Sequence, residues 1–281
     1  MKLKRWVVIV FAAVVVIAGA GWYWYQEQPT DTPTTEKTTI GQTATLYLHG
    51  YSGGAGSTNT LIRHAEQSGA TKVLTATVAK NGKVSWQGNA RHVSKPIVQV
   101  IFQDNVNPDY AKLAGWLTTI NRELYQRYGV RQVNFVAHSM GNMAVMFYAT
   151  QNSEHPKLPK MRAYVAIAGH FDGIIGMGDE PHRIKLAPNG YPTPPDENYA
   201  TLARMRDRFP KNVKVLNIYG DVDDGSDSDG RVANNSSRAL QYLVEGRAAS
   251  YQEKEFVGKK AQHSALHENP QVAKAVDNFI W

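Results

Sequence analysis

The chain has 281 residues, of which 42% are hydrophobic and 20% charged, and this composition is typical of a globular protein with one sizeable domain. Without Lys2, Lys4 and Arg5, 28 basic residues face 24 acidic ones, a net charge of +4. This charge is too mild to indicate nucleic-acid binding, and we expect no nucleic-acid partner. Because the sequence has no cysteine, disulfides, a thiol nucleophile and lipidation of an N-terminal cysteine are excluded.

An uncharged run from Trp6 to Tyr25 follows the three basic residues at the start of the chain. As a helix it would be about 30 Å long, which matches a bilayer core, and the positive-inside rule keeps the preceding residues in the cytoplasm. We therefore predict a single N-terminal span in the cytoplasmic membrane, with the catalytic domain outside it. Ala18-Gly19-Ala20 resembles a signal-peptidase site, so cleavage to a secreted protein is the alternative to the anchor that the aromatic belt Trp22–Tyr25 favours.

Three regions are expected along the chain: an anchor or signal segment at 1–25, a disordered linker at 26–39 and a folded domain at 40–281. The linker is rich in threonine and proline and has no apolar periodicity. In the domain, apolar runs alternate with helical patterns, which predicts an α/β fold with a mostly parallel central sheet and helices on both faces. The predicted strands are Ala44–Leu48, Val73–Val78, Val84–Gln87, Ile97–Phe102, Gln132–Ala137, Ala163–Ala168, Val213–Tyr219 and Tyr251–Val257. The predicted helices are Asn59–Ser68, Tyr110–Tyr128, Met140–Thr150, Ala200–Arg208, Ser236–Leu243 and Asn269–Ile280.

Two of the connections in this pattern carry predictions of their own. Asn81-Gly82 predicts a tight hairpin turn, since both residue types tolerate a positive φ. The segment 171–212 is long and rich in glycine, proline and charge, and a connection of that length inside a compact domain usually covers or shapes a site. We expect a lid-like insertion there, with a surface excursion that has no role in binding as the alternative.

The run from Gln132 to Asn142 indicates a nucleophile elbow. A β-branched and aromatic stretch stops at Ser139, and a helical pattern begins directly after it. This strand-turn-helix geometry exposes a serine Oγ to a base and brings the first amides of the helix close to it. Ala137 and Gly141 supply the small neighbours that the close approach of strand and helix requires, although Ala137 stands where glycine is usual.

A glycine-rich turn follows the first predicted strand, in the sequence from Leu46 to Gly54. Such a turn can aim backbone amides at the negative charge that develops on a carbonyl oxygen during acyl transfer. The best candidates for this oxyanion hole are the amides of Tyr51 and Met140. Nucleotide binding is disfavoured because neither GxGxxG nor GxxxxGK[ST] spacing is present.

His49-Gly50, the segment Asn134–Asn142, the acidic segment Ile218–Val232 and a late histidine segment, His263–Pro270, together resemble the α/β-hydrolase fold. Within it, the chain is similar to the membrane-anchored candidate cell-surface hydrolases of Gram-positive bacteria, a family classified as a domain of unknown function. The resemblance implies a lipase- or esterase-like serine hydrolase with the triad order Ser, acid, His. It implies no particular substrate.

The general base must come from a loop after the last strand, where the sequence offers His263 and His267. We predict His263, because it lies about six residues past the predicted strand end at Val257, whereas His267 lies where the final helix is expected to begin. His138 precedes the serine and is expected to point away from it and serve in packing.

The acid follows the strand that ends at Tyr219, in a loop with five aspartates. We predict Asp229, because Asp229-Gly-Arg-Val232 is similar to the Asp-Gly-x-Val turn of bacterial lipases with long loops. The pattern of hydrolases with shorter loops favours Asp223 or Asp224 instead, and Asp224 is the alternative. A calcium ion could screen so many carboxylates, but their spacing departs from the D-x-D-x-D-G register, so a solvated acidic turn is the simpler interpretation.

We thus predict hydrolysis of a small-molecule or lipid ester through Ser139, His263 and Asp229, with no cofactor and no metal. An acyltransferase that uses the same triad, and a non-catalytic surface-binding domain that keeps the fold, are the alternatives. Acyl chain length and oligomeric state stay open.

Overall fold

The computed structural model describes residues 39–153 and 155–281. The predicted membrane span and all but the last residue of the predicted linker lie outside these residues. No helix in the described part of the chain has the length and apolar character that crossing a membrane requires.

A central eight-stranded sheet organises the domain, with strand order β12-β11-β6-β5-β1-β4-β2-β3. Every neighbouring pair is parallel except β2 and β3, which form an antiparallel hairpin at one edge. The central position of β1 and β5 brings the ends of these two strands together. The strands of this sheet are β1 (Thr43–Leu48), β2 (Thr71–Val78), β3 (Val84–Gly88), β4 (Pro96–Phe102), β5 (Gln132–His138), β6 (Lys160–Ile167), β11 (Lys214–Asp221) and β12 (Ser250–Val257).

Helices cover both faces of the sheet, because the strands are apolar on both sides. On β1, Leu46 and Leu48 face one hydrophobic core, and Tyr47 between them faces the other. Helices α2 and α3 pack into the first core, and α1 and α7 pack into the second. The helices are α1 (Gly56–Gln67), α2 (Tyr110–Arg127), α3 (Met140–Asn152), α4 (Glu197–Met205), α5 (Asn234–Arg238), α6 (Leu240–Val244) and α7 (Pro270–Ile280), and 3-10 turns lie at 206–208, 259–261 and 265–268.

The predicted fold is confirmed, and the differences are local. The predicted helix Ser236–Leu243 is two short helices that meet at Ala239. The predicted hairpin turn between β2 and β3 is confirmed, and Gly82 has a φ of +84°. Asn81 does not use a positive φ, and the turn closes with a hydrogen bond from the Gly82 amide to the Ala79 carbonyl.

The segment 171–212 contains two small two-stranded sheets and helix α4. The first sheet pairs β7 (Ile174–Ile175) with β8 (Gly178–Asp179), and the second pairs β9 (Lys185–Leu186) with β10 (Pro192–Thr193). The first of these sheets borders the cavity described below, whereas Tyr199 on α4 is fully buried in the core. The insertion therefore shapes the cavity with its first turn and adds to the core with the remainder.

Candidate active site

Ser139 occupies the turn between β5 and α3 in a strained backbone conformation, with φ of 51° and ψ of −121°. A residue other than glycine adopts this region only when the surrounding structure imposes it. Two glycines leave the necessary room. A Cβ on Gly50 would lie 2.8 Å from the Cβ of Ser139, and a Cβ on Gly141 would lie 2.8 Å from the carbonyl oxygen of His49. The elbow therefore depends on close approach between the β1 loop and the start of α3.

His263 lies between Ser139 and Asp229 and is hydrogen-bonded to both. Its Nε2 is 2.9 Å from the Oγ of Ser139, and its Nδ1 is 2.7 Å from Oδ2 of Asp229. A carboxylate can only accept at Nδ1, so Nδ1 carries the proton and Nε2 is left as the acceptor for the serine hydroxyl. The backbone amide of His263 also donates to the carbonyl of Asp229 at 2.9 Å, which ties the two loops together.

Asp229 is 1% exposed, and both of its carboxylate oxygens have hydrogen-bond partners. Oδ1 accepts hydrogen bonds from the amides of Arg231 and Val232, at 2.9 and 2.7 Å, while Oδ2 meets His263. Asp224, the alternative acid, instead faces solvent and accepts a hydrogen bond from Ser226, which lowers the pKa of its carboxyl. The structure thus brings Asp229 to the imidazole and leaves Asp224 away from it.

The acidic loop shows no metal-binding arrangement. Within residues 39–153 and 155–281, no cluster of three or more acidic or histidine side chains has the geometry to hold a metal ion. Most of the aspartates in this loop satisfy backbone amides of the loop itself, as Asp221 does for Asp223 at 2.8 Å.

The loop after β1 is pinned from several sides. The carbonyl of Gly50 accepts hydrogen bonds from Nδ1 of His49 at 2.8 Å and from the amide of Gly53 at 3.1 Å. The Gly50 carbonyl and the Tyr51 amide belong to the same trans peptide group, in which C=O and N–H point in opposite directions. The amide of Tyr51 therefore points away from the two groups that donate to the Gly50 carbonyl. Asn105 holds the same loop, since its carbonyl accepts from the Ser52 amide at 2.7 Å and its side chain donates to the Gly53 carbonyl at 2.8 Å.

Met140 supplies the second predicted amide, at the first position of α3. The amides of the first helical turn have no partner within the helix, so this N–H is available to an acceptor beside Ser139. Sequence reasoning singled out Tyr51 and Met140 but missed Asn105, which carries no motif and reaches the site only through the fold.

His138 is buried and packs as expected, but the expectation that it points away from the site is wrong. Its Nε2 donates to the carbonyl of His263 at 2.9 Å, and its ring centroid lies 4.9 Å from that of His263 and 4.6 Å from that of His267. Burial lowers the pKa of His138 well below its ordinary value and also lowers that of His267. His138 is therefore a neutral donor that holds the backbone of the predicted base, and His267 packs on its far side.

The serine and the histidines border a cavity of about 610 Å³. Apolar side chains from several loops surround it, and Tyr51 and Met177 at its rim are 63% and 75% exposed. A volume of this size matches small-molecule sites in general. The lining residues are Gly50, Tyr51, Ser52, Gly53, Ser57, Asn107, Pro108, Tyr110, His138, Ser139, Met140, His170, Ile174, Met177, Arg231, Val232, His263, Ser264 and His267.

A tyrosine–histidine pair also borders the cavity. The hydroxyl of Tyr110 is 3.0 Å from Nε2 of His170. Burial lowers the pKa of His170 to about 3 and raises that of Tyr110 to about 12, so both groups are neutral near pH 7. This pair adds a polar but uncharged element to the wall, and no sequence motif indicated it.

Comparisons with known proteins agree with this architecture. The family model described as alpha/beta hydrolase of unknown function (DUF915) matches residues 32–281. The crystal structure of the lin2722 gene product of Listeria innocua is 26% identical, with a TM-score of 0.75, over 85% of this chain and 94% of that one. A candidate cell surface hydrolase of Lactobacillus plantarum is 20% identical, with a TM-score of 0.66, over 85% of this chain and 90% of its own. No curated protein matches the chain.

Proposed function

Because the chain belongs to the alpha/beta hydrolases of the DUF915 family, we propose that it is a serine hydrolase of carboxylic esters. Family membership makes hydrolysis the class of activity. The finer assignment is ours: Ser139 is the nucleophile, His263 the general base and Asp229 the residue that orients and supports the imidazole. The amides of Tyr51 and Met140 form the oxyanion hole.

The first half of the proposed reaction forms an acyl-enzyme. Oγ of Ser139 attacks the ester carbonyl carbon while its proton passes to Nε2 of His263. The carbonyl oxygen becomes an oxyanion that accepts from the two amides. His263 then gives its proton to the alkoxy oxygen, and the alcohol leaves.

Water completes the cycle by the same route. It attacks the acyl carbonyl, loses a proton to Nε2 and forms a second tetrahedral intermediate, which collapses to the free acid and returns the proton to Oγ. The carboxylate of Asp229 stabilises the imidazolium in both halves without itself taking a proton.

The observation that carries this proposal is the continuous hydrogen-bond path from Asp229 through His263 to Ser139, 2.7 and 2.9 Å long, at the edge of a cavity. The strained φ of Ser139 also supports the proposal. Such a conformation costs free energy, and residues that adopt it cluster at functional sites.

Labelling with a fluorophosphonate probe tests the proposal directly. The purified full-length protein should incorporate one label, hydrolyse a p-nitrophenyl ester and lose both properties on Ser139→Ala substitution. Adding acceptor alcohols to the same assay separates acid release from ester formation, and dominant ester formation would show an acyltransferase instead. If wild-type protein takes no label and releases no acid, the alternative of a non-catalytic surface domain is favoured.

The proposed location of the reaction is outside the cytoplasmic membrane. It rests on the sequence of the first 25 residues, with Lys2, Lys4 and Arg5 before the uncharged run at 6–25. In this proposal residues 26–39 tether the domain at 40–281 to the membrane. Intact cells treated with an external protease should lose the domain, whereas protection of the domain until lysis would contradict the location.

A further inference from the structure

Among the described residues that line the cavity beside Ser139, Arg231 is the one with a permanently charged side chain. The other lining side chains are apolar, hydroxyl, amide or imidazole groups. Burial lowers the pKa values of His138, His170 and His267, which favours their neutral forms. Arg231 is thus the residue of permanent positive charge among those that line the space where the substrate must lie.

The backbone of Arg231 is held firmly in place. Its amide donates to Oδ1 of Asp229 at 2.9 Å, and its carbonyl accepts from the amide of Ile175 at 2.9 Å. These two bonds join the acid loop to the first turn of the insertion. The Cα of Arg231 is thereby positioned relative to the triad, and only the side chain is left to adjust to a ligand.

The guanidinium itself has no anionic partner. Among the residues that the structure describes, no carboxylate oxygen lies within 4.0 Å of it. The two acidic residues closest to Arg231 in the sequence have other partners: Asp229 binds His263, and Oδ2 of Asp227 lies 3.3 Å from Nδ1 of His182. An arginine that does not pair within the protein has its full set of donors available for a carboxylate or phosphate.

We propose that Arg231 binds an anionic group of the ester substrate, so that the preferred substrates carry a carboxylate or phosphate in their acyl or alcohol part. The inference rests on the proposed function, since it names the substrate class of that same site. Apolar lining residues such as Ile174 and Met177 would contact the hydrocarbon part, while Arg231 recognises the charged end.

Two matched substrate pairs test the proposal on the full-length protein. The first pair places the charge in the acyl part and compares mono-p-nitrophenyl suberate with p-nitrophenyl octanoate. The second places it in the alcohol part and compares 1-octanoylglycerol 3-phosphate with 1-octanoylglycerol. For each pair, the ratio of kcat/KM for the anionic ester to that for the neutral ester is measured in wild type, Arg231→Gln, Arg231→Lys and Arg204→Gln. Arg204 is an exposed arginine on α4 that does not line the cavity, which makes it the matched control.

In at least one pair, the ratio should fall about tenfold in Arg231→Gln, equivalent to about 1.4 kcal/mol, and less in Arg231→Lys. Arg204→Gln should keep the wild-type ratio. In wild type, the ratio should also fall as salt rises from about 0.02 to about 0.5 M, because Arg231 is solvent-exposed and therefore screened.

Ratios within twofold of wild type in both pairs, with no salt dependence, would overturn the role of Arg231 and leave the proposed function standing. A different result would contradict the proposed function: wild-type protein that hydrolyses none of the four esters and takes no fluorophosphonate label. If Arg231→Gln does not fold, the salt dependence of the wild-type ratio decides alone.

Discussion

The nucleophile turn at 137–141 and the acid loop at 221–232 hold the two ends of one hydrogen-bond path, but they are built differently. Around Ser139, backbone and side chains approach so closely that a single methyl group at Gly50 or Gly141 has no room. Around Asp229, the chain is held by hydrogen bonds from its own amides, and several neighbouring carboxylates face solvent. Close packing therefore fixes the conformation of the first region, and hydrogen bonds fix that of the second.

This contrast indicates which kinds of change each region tolerates. Close-packed regions respond to added volume because the neighbouring backbone cannot move away. A hydrogen-bonded loop responds to loss of the one group whose partners are buried, and tolerates change at its exposed members. The following predictions test that difference.

Within the acid loop, we expect the largest difference between two chemically identical substitutions. Asp229→Asn should lower kcat by about four orders of magnitude, because an amide can donate to Nδ1 of His263 and so favours the tautomer that cannot accept the serine proton. Asp224→Asn should stay within about twofold of wild type, since Asp224 is fully exposed. Steady-state kinetics on a p-nitrophenyl ester measures both, and equal losses in the two variants would contradict the assignment.

In the nucleophile turn, we expect a small increase in side-chain volume to lower the free energy of unfolding. Gly141→Ala should destabilise the protein by about 1–3 kcal/mol, because the new methyl group meets the carbonyl oxygen of His49 at 2.8 Å. Gly115→Ala is the matched control: it lies exposed in the middle of α2, a Cβ there meets nothing within 4 Å, and it should stabilise by about 1 kcal/mol. Chemical denaturation measures both, and a neutral Gly141→Ala would show that the elbow can relax.

Asp172 tests whether the segment beside the acid loop carries a buried charge. Its amide donates to Oγ of Ser236, and its Oδ2 has no partner among the described residues. Burial raises the pKa of Asp172 to about 7 from a usual value of 3.8, so the folded protein binds this proton more tightly than the unfolded chain does. The favourable contribution of the protonated form is complete below pH 3.8 and is lost as the pH rises towards 7.

Asp172→Asn should therefore leave stability nearly unchanged at pH 4 and raise it at pH 8, by an amount on the order of 1 kcal/mol. The melting temperature at the two pH values is the measurement. Asp207→Asn, on an exposed 3-10 turn, serves as the control and should show no such difference. A loss of stability at pH 8 in Asp172→Asn would mean that the charged carboxylate is stabilising.

The sequence predicted the strands and the elbow well because both depend on local patterns. Apolar runs of strand length and a serine between small residues are visible without the fold, and all eight predicted strands appear in the central sheet. The two helical turns at 234–244 were harder to predict, since their break at Ala239 is not marked by glycine or proline. The hydrogen bond of His138 was not predicted because its partner is 125 residues away.

The sequence by itself determined the fold class, the position of the candidate nucleophile and a short list of partners for it, because each of these follows from periodicity and from spacing within a few residues. Only the tertiary structure placed the carboxylate of Asp229, rather than that of Asp224, beside His263, brought Asn105 to the loop after β1 and put Arg231 among the residues that line the cavity. These outcomes depend on distances between segments more than thirty residues apart, and such distances are set by how the loops pack at the end of the sheet.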